Sequence, residues 1–160
     1  MPGSVNDYFL KLDGIAGEST DAKHKGEIEL VSFSWGVSQS AAGGSGGGAG
    51  KSRLKQFEFL MRVNKASPAV FLAVASGMHL KEASLAVRRR SKAAFDWLKV
   101  KFSDVLITSY EQAGEDAEVP YERVAFDFAK VELEYKPQTA RGAPGTAISA
   151  GWDLAKNLKI

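Results

Sequence analysis

The sequence predicts a mainly β protein, an antiparallel β-barrel or tight sandwich, with one short α-helix between strands. Three observations carry this. Most apolar residues recur at every second position in runs of strand length. Several of those runs change their apolar face partway, which suits the bends and bulges of a coiled, closed sheet better than a flat one. Only one segment carries helix punctuation at both ends.

The first strand, Tyr8 to Asp13, puts Tyr8, Leu10 and Leu12 on one face. A polar connection, Gly14 to Gly26, leads to a second strand that begins at Glu27. Ile28 and Leu30 share one face of it, but Val31, Phe33, Trp35 and Val37 share the other. Ser32, Ser34, Gly36 and Ser38 fall opposite the aromatic set, so this strand divides a core from a wall of small polar groups. The stretch SQSAAGGSGGGAGKS, residues 38–52, offers no apolar surface and reads as an extended loop, flexible at about 41–52. Gly50-Lys51-Ser52 matches the end of a phosphate-binding loop. The motif's first glycine is replaced by Ser45, however, and a strand follows where that motif opens a helix.

Arg53 to Asn64 alternates, with Phe57, Phe59, Met61 and Val63 on one face. The opposite face sets Leu54 and Leu60 among polar groups, the pattern of a surface that meets another subunit or of a solvated face with isolated leucines. In the helix, Ser67 suits the N-cap, Pro68 the first helical position and Gly77 the left-handed C-terminal position. Phe71, Leu72 and Ala75 are the stripe expected to pack on the sheet.

His79 to Arg90 returns to strand, with Leu85 and Val87 opposed to Glu82, Ser84, Arg88 and Arg90. The basic run from Arg88 to Lys92 reads as a solvated hairpin end that pairs with acidic groups on a neighbouring subunit. Asp96 to Tyr110 carries Leu98, Val100 and Phe102, then changes phase toward Val105 and Ile107. An acidic turn spans Gln112 to Glu118. Val119 to Tyr135 is one long strand or a bent pair, with Val124, Phe126 and Phe128 giving way to Val131, Leu133 and Tyr135. A Pro- and Gly-containing loop and a last short strand with Trp152 complete the chain.

A length of 160 residues fits one domain, 1–160, with a sizeable core. With 21 basic and 19 acidic residues the net charge is +2, too even to make nucleic acid the main partner. The absence of cysteine excludes disulfides, thiolate chemistry and Cys-based metal sites. The first residues have no signal-peptide pattern, and no apolar run approaches membrane-spanning length. The expectation is a protein made and folded in the cytoplasm, without membrane insertion.

Candidates for catalysis are thin. His24, flanked by Lys23 and Lys25, reads as an exposed loop histidine, with a His24/Asp21/Glu27 metal set open by spacing. His79 follows the helix end, where it can meet the last carbonyls. No serine lies in a nucleophile elbow. Glu111, Glu115, Asp116 and Glu118 flank a turn without EF-hand spacing. Trp35, Trp97 and Trp152 would suit a carbohydrate groove, though Trp35 lies with Phe33 on a core face. No reaction and no cofactor follow; the expectation is a protein that is not an enzyme.

Three ordered blocks carry a family resemblance. They are DGIAGES with KHKGEIELVSFSWG, then KASP and ASGMHL around the helix, then the ending GWDLAKNLKI. Together they resemble the haemolysin-coregulated proteins, the tube subunits of type VI secretion. The resemblance implies a closed, hexameric ring that stacks into a hollow tube, is exported from the cytoplasm by a contractile sheath with a spike at its tip, and shelters effector proteins in its lumen. On that reading Ser32 and Ser34 line the lumen, and Leu54, Leu60, Lys51 and Arg53 lie at the subunit interface. The alternative is a monomeric β-barrel that binds a ligand through exposed aromatics or the Gly-rich loop.

Overall fold

Alternating sequence becomes strand almost throughout. The computed structural model describes residues 5–40, 51–90, 94–116 and 118–160. Most of the glycine tract expected to be flexible, and Ser91 and Lys92 of the basic run, lie outside the described residues. The elements are β1 (Asn6–Leu12), β2 (Ile28–Leu30), β3 (Ser32–Gln39), β4 (Ser52–Arg62), α1 (Ser67–Ser76), β5 (His79–Arg89), β6 (Asp96–Ala113), β7 (Tyr121–Asp127), β8 (Lys130–Tyr135), β9 (Ile148–Asp153) and β10 (Leu158–Lys159). Among the described residues every strand pair is antiparallel, and one short helix interrupts them.

The pairings return to their start. β1 pairs β2, which continues through Val31 into β3; β3 pairs β4, β4 pairs β7, β7 pairs β6, β6 pairs β5, and β5 pairs β1. This is a closed barrel, and β8, β9 and β10 extend from the first half of β6 as a flap beside it. Closure requires the bends that the phase changes foretold. At Val31 the chain turns from β1 to β4, and the Val31 amide donates to the Leu60 carbonyl at 2.8 Å. In β6 the phase change falls at Asp104, which adopts a left-handed φ of 55°. That residue lets Val100 and Phe102 before it, and Val105 and Ile107 after it, all reach the core.

Aromatic rings fill the centre. Phe57 stacks on Phe126 at 4.8 Å, and Phe102 meets Phe57, Phe126 and Phe128. Val119 to Tyr135 resolves into the pair β7 and β8. Of its second apolar set Val131 is buried, while Leu133 and Tyr135 are exposed on the flap.

The helix starts and stops where Pro68 and Gly77 place it, with Gly77 at a φ of 66°. Its cap and its face differ from expectation. Ala66 occupies the N-cap position and Ser67 lies inside the helix, its hydroxyl accepting the Asn64 amide at 2.9 Å and donating to Glu122. The buried stripe is Val70 and Ala73, whereas Phe71 and Leu72 are each 56% exposed. The segment is apolar on nearly every side, so periodicity cannot choose which side faces inward. The link from Ser67 to β7 does.

Candidate functional site

The small-residue wall expected on the second strand is present. Phe33 turns inward to meet Tyr8 and Phe57, at 5.1 Å and 5.8 Å, and Trp35 meets Phe102 edge-on at 5.5 Å. Burying those two rings is worth several kcal/mol, on the order of 2 for each ring, so the face of β3 is settled. Val31, at the bend, and Val37, near the strand end, are exposed, unlike the aromatics between them. Ser32, Ser34 and Ser38 are exposed on the other side.

Residues directly opposite in an antiparallel pair share a face. Ser32 stands across from Leu60, Ser34 from Glu58, Gly36 from Lys55 and Ser38 from Arg53. The wall therefore includes Leu60 and Arg53 as well as the serines. Glu58 takes a weak ion pair from Arg123 of β7 at 3.4 Å, which continues the same surface.

Leu54 does not share that face, contrary to the strict alternation expected for Arg53 to Asn64. Between the Ser34–Glu58 and Gly36–Lys55 pairs, β4 advances three residues while β3 advances two. This bulge reverses the side of the β4 residues that precede it, Ser52 to Lys55, relative to those that follow. Leu54 is half-buried against the core as the partner of Val37, while Leu60 stays outside. Lys51 and Arg53 are exposed beside the glycine tract.

Polar chemistry is concentrated in two clusters; spacing in the sequence grouped His24, Asp21 and Glu27 of the first, but not their partners Asp96 and Arg88, and nothing in it pointed to the second. The first lies on the outer face of β1, β5 and β6, under the connection from Gly14 to Gly26. His24 is buried, 6% exposed rather than solvated, and its ring stacks on Phe9 at 4.4 Å. Its Nδ1 is 3.0 Å from Glu27 Oε1 and its Nε2 is 2.9 Å from Asp96 Oδ1. Beside it Arg88 is also buried and donates to Asp21 Oδ2 at 2.6 Å. Asp21 further accepts the Lys23 amide at 2.9 Å. Burial pushes the Asp21 carboxyl up, but the Lys23 amide and Arg88 together outweigh it and hold it below the ordinary aspartate value.

In the described part of the basic run Arg88 is buried and Arg90 is exposed. Arg88 and Arg90 pair with Asp21 and Asp7 of their own chain. His24, Asp21 and Glu27 do not form a metal set: among the described residues no group of three or more such side chains is arranged to hold an ion.

In the second cluster the carboxylate of Glu122, fully buried on β7, accepts from the Ser67 and Tyr110 hydroxyls and from Gln112 Nε2 at 3.0 Å. Burial pushes this carboxyl above the ordinary glutamate value, and the Ser67 hydroxyl offsets part of the rise. Every oxygen is occupied by a fixed donor, so the group anchors α1 to the barrel. His79 opens β5 and is exposed. The three tryptophans are dispersed: Trp35 is in the core, Trp97 donates to Asn6 Oδ1 at 3.0 Å, and Trp152 is half-buried on β9. They form no common groove.

The chain matches the family described as "Type VI secretion system effector, Hcp" over residues 9–135. It is 34% identical over 158 residues to Protein hcp1 of Pseudomonas aeruginosa, spanning 96% of this chain and 98% of that one. Among solved structures it resembles the crystal structure of Hcp1 from Salmonella typhimurium, with a TM-score of 0.85 at 34% identity, covering 98% of this chain and 100% of the other. It also resembles a structure described as a type six secretion system protein, with a TM-score of 0.90 at 31% identity, covering 96% and 99%. The relative and the two structures cover nearly the whole chain, the family match its residues 9–135, and the chain belongs to the Hcp family of type VI secretion proteins.

Proposed function

We propose that this protein is a structural subunit of the type VI secretion inner tube. It closes into a hexameric ring, the rings stack into a hollow tube, and the tube shelters effector proteins in its lumen. The work is mechanical rather than catalytic: the subunit assembles in the cytoplasm, is propelled by a contractile sheath behind a spike, and leaves the cell with the tube. The observation that carries this reading is the two-sided β3. An aromatic core holds one face rigid, while the other presents Ser32 and Ser34, small groups that hold cargo loosely and release it. Leu60 stands beside these serines, so it belongs where the wall meets the next subunit. Lys51 and Arg53, next to the glycine tract, reach the neighbouring subunit, with the exposed part of Leu54 beneath them.

Light scattering tests the ring: a discrete hexamer is expected, and monomer alone across micromolar concentrations would favour the monomeric ligand-binding alternative. The wall is tested with Ser34→Gln. Ring mass should be unchanged, because no core group is altered, while co-purification of a lumen-bound effector should fall at least several-fold. Loss of the ring would assign Ser34 to an interface. Unchanged effector recovery from intact rings would remove this face as the cargo wall.

A further inference from the structure

The flap has two unlike faces, and only part of its apolar face is covered. Alternation puts Val131, Leu133 and Tyr135 on one side, across from Trp152, Ala150 and Ile148 of β9. That side continues the core face of β6, since Val131 stands across from Phe102 and Leu133 from Val100. Val131 is buried, but Leu133 is 40% exposed, Tyr135 43% and Ile148 66%. The reverse side is charged: Lys99 stands across from Glu134, and Lys101 lies 3.9 Å from Glu132. An antiparallel sheet of this kind turns its charged face to water and its apolar face to other apolar groups.

A second uncovered apolar surface lies on α1. No charged residue occurs between Ala66 and Met78. Val70 and Ala73 close over the barrel core, while Phe71, Leu72 and Ala75 turn outward and are exposed. A helix that is apolar all round is one built to be buried all round. Each of the two surfaces exposes on the order of 300 Å² of apolar area, a patch size associated with contact sites. They do not cover each other within one molecule. Phe71 meets Tyr110 in the second half of β6 at 6.1 Å, whereas Tyr135 stands across from Leu98 near its start. Up to about 40 Å of strand separates Leu98 from Tyr110.

We propose that the apolar face of the flap of one copy packs on the outer face of α1 of the next. The inference rests on the assembly reading above and adds a contact to it. The exposure pattern selects this pairing. Apart from these two surfaces, Met78 beside the helix and the chain end Leu158–Ile160, the large apolar side chains exposed among the described residues are all valines. Flap on flap would leave every helix bare, and helix on helix every flap. Flap on helix covers both with one repeated contact, and helix on sheet is a layering in which both elements bury their apolar sides. Because two different surfaces meet, the contact is head-to-tail, the kind that closes a ring or extends a stack. About 300 Å² per copy falls short of the roughly 800 Å² per partner of a stable pair, so this contact acts together with the others of the assembly.

The chain has no cysteine, so an introduced thiol is its only one. Leu72→Cys and ¹⁵N-labelled Ile148→Cys, mixed where rings form and treated with a short bismaleimide, should give labelled-to-unlabelled crosslinks. Either variant alone should give several-fold fewer. Leu72→Glu and Ile148→Glu should each raise the concentration for half-assembly about tenfold, since each places a charge in an apolar contact. Both replace exposed side chains, and the crosslinks remain a test of the contact should a glutamate variant fail to fold. Crosslinks as abundant in either cysteine variant alone would overturn this docking in favour of like-on-like contact. Half-assembly of both glutamate variants at the wild-type concentration, with no crosslink between the two positions, would overturn it and leave the ring intact. A wild-type protein that stays monomeric in light scattering would overturn the ring and this contact together.

Discussion

His24 Nε2 lies 2.9 Å from Asp96 Oδ1, tying the connection between β1 and β2 to the first residue of β6, 72 positions away. The same ring stacks on Phe9, an aromatic on the outside of the barrel wall. A second small core thus exists under the Gly14–Gly26 connection, sealed by His24 and Arg88. Replacing His24 with alanine should cost about 2–3 kcal/mol, because it opens a cavity and takes a partner from the half-buried carboxylates of Glu27 and Asp96. Hydrogen exchange should show where: the amides of Gly17, Ser19, Gly26 and Glu27, all bonded within this connection, should lose protection before those of β4 and β7. Uniform loss across the barrel would contradict a local latch.

Two carboxylates give opposite pH dependences. The Asp21 carboxyl is held below its ordinary value of 3.8, so its folded state releases its proton more readily than the unfolded chain. Its contribution is present above that value and lost as pH falls through the lower folded value. Glu122 is raised above 4.5, so its contribution is full below 4.5 and lost as pH rises through the higher folded value. Melting temperatures followed against pH should therefore fall less steeply on the acid side in Asp21→Asn. They should decline less on going from 4.5 to neutrality in Glu122→Gln. Parallel curves for wild type and variants would refute both assignments.

Two glycines separate close packing from open wall. A Cβ on Gly17 would come within 2.5 Å of the Glu27 carbonyl oxygen, so the backbone itself must move. On Gly36 the nearest atom is Lys55 Cβ at 3.8 Å, ordinary contact. Gly17→Ala should lose about 2 kcal/mol or more in denaturant unfolding, whereas Gly36→Ala should stay within about 0.5. Equal effects at both positions would contradict this contrast.

Much of the barrel was legible because alternation is a local property. Phe33, Trp35, Phe57, Phe102 and Phe126 each faced the core as the two-residue period required, and the phase changes at Val31 and Asp104 proved to be bends that close the sheet. Pro68 and Gly77 bounded the helix for reasons contained in their own backbones.

Other features depended on residues distant in sequence. The bulge in β4 parts Leu54 from Leu60, yet nothing between Gln56 and Phe57 announces an extra residue, because it answers a mismatch with β3. The helix turned Val70 inward rather than Phe71, since an almost wholly apolar segment has no preferred face until Glu122 holds one end. His24 and Arg88 looked solvated beside lysines and arginines, but Asp96 and Asp21 approach them across the fold. Periodicity along the chain thus determined which residues form strands and a core. Where polar groups are buried, and which surface residues share a wall, was decided only by tertiary contact, because the partners that satisfy a buried hydrogen bond or shift a register lie on other strands.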